Sequence, residues 1–314
     1  MSRFKSRTCI AIGLCISAGG CSEQANVPTI PMTIYAAGSL ARPLRAALDS
    51  IAATGGPRVQ MEVMGSRELL RAVTALGKTP DLIVSADADE LERVMIPAYA
   101  TTTTTFARNR MVLALSPKSP RVASVTPANW AEVAAGGTLK IARADPGRAP
   151  LGYRTQIVWR LAEAVLKRPG LAGRLAAASP DALLRGNESE LAALLTSGDA
   201  DAAWCYESLA KSLGIRYVTL GNQIDLGSEA DSLLYMRAVV RIPGDRPGDS
   251  VIVAGTPIRY ALAVITNGPD VIGATVLRER LLDSTSARVM RRAGLDVLDT
   301  PRVTTLATKV NLAP

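Results

Sequence analysis

The sequence predicts an α/β fold of two lobes with a ligand cleft between them, and three observations predict it. Two successive stretches, MTIYAAGSLARPL at 32–44 and PRVQMEVMGSRELLRAV at 57–73, spell the same unit of apolar strand, glycine-serine turn and amphipathic helix. A β-rich run, TTTTTFARNR at 101–110, has no helix former in front of it, which suits a strand that crosses out of one lobe; a return near residue 267 completes the pair of crossings. With 314 residues there is also enough chain for two compact domains, each with its own core.

The first unit organises the rest. MTIYAA is a β-leaning strand, Gly38 permits a tight turn, and a helix from about Leu40 to Ala52 turns Leu40, Leu44, Ala47, Leu48 and Ile51 to one face. Ser39 stands where the first free amides of that helix need a partner, so it serves either as an N-cap or as a donor to an anion held at the helix start. In the second unit Gly65 and Ser66 take the same places, ahead of Leu69, Leu70, Val73 and Leu76. Such units set both hydroxyls and both helix starts at one carboxyl edge of a parallel sheet, where open α/β sheets bind ligands. DLIVS is a third strand, followed by an acidic helix start at Asp87 or Asp89, whose carboxylates suit the positive helix end.

The second lobe follows in short elements. MVLAL and TLKIARA are strands, TPANWAEVAAG begins a helix, and DPGRAPLGYR at 145–154 is a loop feeding the helix GYRTQIVWRLAEAVLK. A helical stretch over 180–196, the strand DAAWCY, a helix opening near Ser208, and strands in IRYVTL, LYMRAVVRI and PIRYALAVI come next, with PGDRPGDS as a hairpin-like loop. The tail from Asp270 is helical and ends with Gly294 as a cap.

The N-terminus is a separate matter. Arg3, Lys5 and Arg7, an apolar run from Cys9 to Ala18 and the small residues Gly19 and Gly20 make residues 1–20 a secretory signal peptide. Cys21 directly after them resembles a bacterial lipoprotein box, although Ala18 stands where leucine is usual; it implies lipidation at Cys21, plain cleavage being the alternative. Residues 21–30 are then a lipid-anchored tether. Loss of the three basic residues takes the formal charge from +8 to +5, and no Lys/Arg block with interleaved aromatics calls for nucleic acid. Cys9 and Cys15 leave with the signal, so Cys205 stays as a lone thiol and no disulfide framework follows. There is no histidine. That excludes a Ser-His-Asp triad, a Cys-His pair and a histidine-ligated zinc, and an exported, core-rich chain of this kind reads first as a binder.

Eight stretches in order, YAAGSL, VMGSRELLRAV, DLIVSADADELE, FARNRMVLA, DPGRAPLGYR, DAAWCYESLA, YVTLGNQIDLGS and TPIRYALAVI, resemble the molybdate/tungstate-binding proteins of ABC importers, tungstate-type branch, within the type II periplasmic-binding-protein fold. The resemblance implies lobe 1 from 31–108 and 267–314, lobe 2 from 109–266, and hinge strands near 106–110 and 266–268. It implies that Ser39 and Ser66, next to Gly38 and Gly65, hydrogen-bond a tetrahedral oxyanion, and that backbone amides over 149–153, such as those of Ala149 and Leu151, complete the cage with Tyr206. It also implies a monomer that delivers its ligand to a membrane permease and carries no resident cofactor. Tungstate-type members often place carboxylates where this chain has Ala149 and Cys205, so the implied cage consists of neutral donors; Glu207 is the one substitute carboxylate nearby. Relaxed selectivity toward sulfate is an alternative, as is a ligand-dependent sensor. Cys205 suits a buried apolar site, Asp145 its own loop, and Arg154 a structural bond, while Arg148 and Arg154 both flank the presumed site. A Ser-Lys hydrolase is the remaining class; Lys78, Lys118 and Lys140 show no motif spacing to either serine.

Overall fold

The computed structural model describes Met1 and residues 31–244 and 248–307; the signal peptide, Cys21 and the tether lie outside the described residues. The chain opens with β1 (Met32–Ala37), a single 3₁₀ turn at Gly38–Leu40 and α1 (Ala41–Ala52). There follow β2 (Val59–Met64), α2 (Ser66–Thr74), β3 (Leu82–Ser85), α3 (Ala88–Met95) and β4 (Thr102–Arg108). β1 lies between β2 and β3 and runs parallel to both, so the turns after all three strands emerge at one edge. β3 is buried along its whole length, as expected of a strand covered on both faces.

After Arg108 the chain leaves this sheet and builds a second one. Its elements are β5 (Met111–Leu115), α4 (Trp130–Ala135), β6 (Ile141–Ala144), α5 (Pro150–Val165), α6 (Leu171–Ala177), β7 (Leu184–Arg185) and α7 (Glu188–Ser197). Next come β8 (Ala202–Tyr206), α8 (Glu207–Leu213), β9 (Tyr217–Thr219) and α9 (Ser232–Tyr235). The hairpin strands are β10 (Val239–Pro243) and β11 (Ser250–Ala254). The sheet order is β7-β6-β8-β5-β9, with β6 parallel to β7 and β8 and with β5 antiparallel to β8 and β9. Its core holds Trp130, Trp159 and Trp204, with Trp204 edge-on to both others at centroid distances of 5.9 and 6.1 Å.

The return crossing comes earlier than residue 267. β12 (Arg259–Val264) is already a central strand of the first sheet, antiparallel to β3 and β4, so lobe 2 ends before it and not at 266. An apolar run such as YALAV fits the middle of either sheet, and only long-range pairing chooses between them. The two crossings touch where they pass: Asn109 N–H donates to the Ile258 carbonyl at 3.1 Å, and Asn109 Nδ2 donates to Ser208 Oγ (2.7 Å) and Tyr260 Oη (2.8 Å). The chain closes with α10 (Val271–Leu282), α11 (Ser284–Arg292) and β13 (Asp296–Thr305), and the first sheet has the order β13-β4-β12-β3-β1-β2. Gly294, at φ +97°, ends α11 as expected, but the tail then adds β13 where only helix was expected.

Two further expectations change. The stretch 180–196 is not helical throughout: the two-residue β7 separates a short turn from α7, and LYMRAVVRI starts as the end of α9 before becoming β10. Among the described residues no helix is long and apolar enough to cross a membrane.

Candidate functional site

Five helical starts meet where the two sheets face each other. From the first sheet come the 3₁₀ turn after β1 and α2 after β2; from the second come α5, α7, and α8, which starts after Tyr206 at the end of β8. Between them lies a cavity lined by Ala37, Gly38, Ser39, Gly65, Ser66, Ala86, Ala149, Pro150, Leu151, Asn187, Glu188 and Tyr206. In this closed arrangement it has room for little more than one water molecule, so a solute of any class enters only as the lobes part. Among the described residues no lysine or arginine lines it, so the positive potential comes from helix ends and hydroxyl dipoles.

The opposite lobe approaches both glycines of the glycine-serine turns, excluding a side chain at Gly65 and leaving a tight fit for one at Gly38. A Cβ on Gly65 would stand 2.2 Å from the Arg148 carbonyl oxygen, and one on Gly38 would stand 3.1 Å from the Glu188 amide nitrogen. A Cβ on Gly152 would fall 2.3 Å from the Pro146 nitrogen, so only glycine lets the first turn of α5 fold back over its own loop.

The hydroxyls differ in how they are held. Ser66 Oγ accepts from the Ala86 amide at 3.0 Å, which orients it and leaves its proton to donate. Ser39 Oγ is buried and has no partner in good hydrogen-bond geometry; the Tyr260 hydroxyl, which accepts from Asn109, is the polar group beside it. Neither serine caps its helix through its side chain, so the capping role expected of Ser39 is corrected: the α1 and α2 starts carry no side-chain cap bond. The Tyr206 hydroxyl accepts from Arg154 Nη1 at 2.8 Å, and burial pushes its phenol up, so it stays a neutral donor.

Arg154 fills the structural role expected of it. Nη1 donates to the Ala86 carbonyl at 2.6 Å and Nη2 pairs with Asp87 at 3.2 Å, with both side chains almost fully buried, so one arginine ties α5 to the start of α3 in the other lobe. Tyr153 donates to the same carboxylate. Asp87 also caps α3 by accepting from the Glu90 amide at 3.0 Å, in keeping with its acidic-start reading. Asp145 orders its own loop through the Gly147 amide at 2.7 Å, and Arg148 turns outward to Glu68 at 3.1 Å.

Three of the expected residues behave differently from the rest. Ala149 lines the cavity, but its amide donates to the Asp145 carbonyl at 3.0 Å; with Pro150 lacking an N–H, the Leu151 amide is the one the helix start turns outward. Cys205 is buried inside the second lobe, where burial pushes its thiol up, and it does not line the cavity. Glu207 pairs with Lys211 at 2.8 Å and accepts from the Tyr217 hydroxyl at 3.1 Å, outside the lining. Lys78, Lys118 and Lys140 are likewise absent from it, which leaves the two serines without an adjacent base.

Asn187 and Glu188 were not singled out in the sequence. Asn187 caps α7 by accepting from the Glu190 amide at 3.2 Å, and Glu190 in return accepts from Asn187 Nδ2 and the Gly186 amide. Glu190 thus folds back on the cap and on the residue before it, a relative of the capping box whose signal in the sequence is NESE. Glu188 is 2% exposed; its Oε1 accepts from the Tyr206 amide at 2.7 Å, its Oε2 has no partner, and burial pushes its carboxyl up to about 8.

Comparison with known proteins fits this geometry. Residues 32–296 match the family described as bacterial extracellular solute-binding protein. An uncharacterized solute-binding protein of Petrotoga mobilis is 34% identical over 246 residues, covering 78% of this chain and 77% of its own. A putative ABC transporter molybdenum-binding protein of Haloferax volcanii is 33% identical over 254 residues, covering 79% and 76%. Among solved structures, the periplasmic molybdate-binding protein of Azotobacter vinelandii superposes with a TM-score of 0.60 at 16% identity, over 86% of this chain and all of that one, a likeness of fold.

Proposed function

This chain belongs to the bacterial extracellular solute-binding proteins, binders and not enzymes, and from that premise we propose that its solute is a tetrahedral oxyanion, molybdate or tungstate, held in the cavity between the lobes. One observation carries the reading: five helix starts and three hydroxyls, those of Ser39, Ser66 and Tyr206, converge on a small space and offer donors without a cationic side chain. Each hydrogen bond to a charged partner contributes about 1.5 to 3 kcal/mol, so three hydroxyls and two or three helix-start amides hold a dianion tightly without a salt bridge. The name of the Haloferax protein supports the choice of molybdate among oxyanions.

Capture proceeds by closure. The two serines belong to one lobe, and Leu151, Glu188 and Tyr206 to the other, so a complete cage exists only when the lobes meet. The crossings at Asn109 and near Ile258 are the segments that take up the motion. The loaded protein then presents its closed shape to the permease of an ABC transporter, and Cys21, if acylated, holds it at the membrane as a monomer. Isothermal calorimetry of protein lacking residues 1–20 against molybdate, tungstate, sulfate and phosphate tests the proposal. Sub-micromolar binding of molybdate or tungstate supports it, and failure to bind any of the four removes it. Fatty-acid labelling that disappears in Cys21→Ala tests the anchor separately.

A further inference from the structure

We propose that Glu188 is a specificity-determining member of the cage, which meets the anion as a carboxylic acid and donates its Oε2–H to a ligand oxygen, so that the site is matched to a fully deprotonated dianion. The proposal rests on the oxyanion reading and goes beyond it, because the donors considered so far are hydroxyls and amides.

The geometry leaves little choice of role. Among the described residues Glu188 is the sole carboxyl side chain in the lining, which it shares with Ser39, Ser66 and Tyr206. Oε1 is occupied by the Tyr206 amide at 2.7 Å, while Oε2 is fully buried and has no hydrogen-bond partner. An ionised carboxylate is an acceptor only, and two like-charged groups in contact inside a closed, water-poor space repel strongly. The acid form removes that repulsion and satisfies Oε2 through the ligand in the same step.

No cation faces Glu188 to hold it ionised. From β8 it is faced by Cys205 and Tyr206, both kept neutral by burial, and from β12 by the neutral Tyr260. On its own element Glu190 is engaged by the Gly186 amide and Asn187 Nδ2. Arg148 packs on Gly186 but pairs with Glu68, and Arg154 is taken by Asp87, the Ala86 carbonyl and Tyr206. Burial pushes the carboxyl up to about 8, and a neighbouring dianion raises it further.

Two consequences follow for binding. Below about pH 8 the acid is already in place, and affinity is independent of pH; above it, each binding event takes up one proton, and affinity falls about tenfold per pH unit. A ligand bringing its own hydroxyl needs an acceptor at Oε2, so hydrogenphosphate is disfavoured wherever Glu188 is protonated.

Calorimetric titration with sodium molybdate from about pH 6 to about pH 9.5, on the protein without residues 1–20 and on Glu188→Gln, tests this. Glutamine keeps a donor and cannot titrate. The expected result is the break and slope described for the native protein, with proton uptake above the break shown by heats that differ between two buffers. Glu188→Gln should bind within about tenfold of the native protein at pH 6 and show no slope. A native affinity flat to pH 9.5 overturns the proposal, as does a slope retained in Glu188→Gln. A variant that melts early is set aside, and native proton uptake then decides. Tight binding without proton linkage overturns only the role of Glu188, whereas no binding of any oxyanion at any pH removes the oxyanion reading and the proposal together.

Discussion

Replacing Ser39 by alanine should make the anion-free protein more stable and the complex weaker, and this opposition of sign separates a ligand donor from a structural serine. The hydroxyl is 7% exposed as a residue and its Oγ finds no partner, so in the absence of ligand it is a buried polar atom left unmet. Such an atom costs about 1 to 3 kcal/mol, and the small void that alanine leaves gives part of that back. The net gain expected is about 1 kcal/mol, or a melting point higher by about 1.5 to 2 °C for a chain of this size. Affinity moves the other way, since a hydrogen bond to a charged partner is lost: about 1.5 to 3 kcal/mol, a fall of about 10- to 150-fold. Ser66→Ala is the control. Its Oγ accepts from the Ala86 amide, so alanine strands that buried donor and should lower stability by about 1 to 3 kcal/mol while also weakening binding. Melting of exhaustively dialysed protein and calorimetry with molybdate read both quantities. If Ser39→Ala melts lower and binds undiminished, the hydroxyl serves the fold, and the reasoning for the cage fails at its first residue.

Three other outcomes follow from the same contacts. Gly65→Ala puts a methyl group 2.2 Å from the Arg148 carbonyl, so the closed arrangement is strained and molybdate binding measured by calorimetry should fall by about 10- to 150-fold. Arg154→Met leaves the buried Asp87 carboxylate without its ion pair; the cost of about 3 to 5 kcal/mol falls on the closed form, since opening returns Asp87 to water, and small-angle scattering should show a more open particle. Glu188→Gln should alter the pH dependence of stability. Because the folded carboxyl titrates near 8, above its unfolded value, the native protein holds an extra proton and loses stability as pH rises from about 4.5 through 8. Glutamine should remove that loss of about 1.4 kcal/mol per pH unit, and equal pH profiles of melting for the two proteins would contradict it.

What was legible in the sequence was local. The glycine-serine turns at 38–39 and 65–66 could be found because strand, turn and helix lie within about a dozen residues of each other, and α5 through its amphipathic run, although its first residues, Pro150 and Leu151, read as loop. Their assembly across the cleft came from the resemblance, not from periodicity. Long-range facts stayed hidden. β7 is two residues long and β13 is half-exposed, with charged and polar residues in it, so neither carries the apolar signature of a strand. β12 was seen as a strand but assigned to the wrong sheet, since its apolar run fits a central position in either. Glu188 was missed because a glutamate in the first turn of a helix is ordinary; only the approach of Tyr206 and of the opposite lobe buries it. The carboxylates sought at Ala149 and Cys205 are absent, but a carboxyl group reaches the cavity from α7 instead.

The most direct test of the cage is a crystal structure of the protein grown with sodium molybdate and measured at the molybdenum absorption edge. The account predicts a single strong anomalous peak between the two sheets, with ligand oxygens within about 3 Å of Ser39 Oγ, Ser66 Oγ, Tyr206 Oη and Glu188 Oε2. A complex whose molybdenum lies elsewhere on the molecule, or whose oxygens bypass both serines, would contradict it.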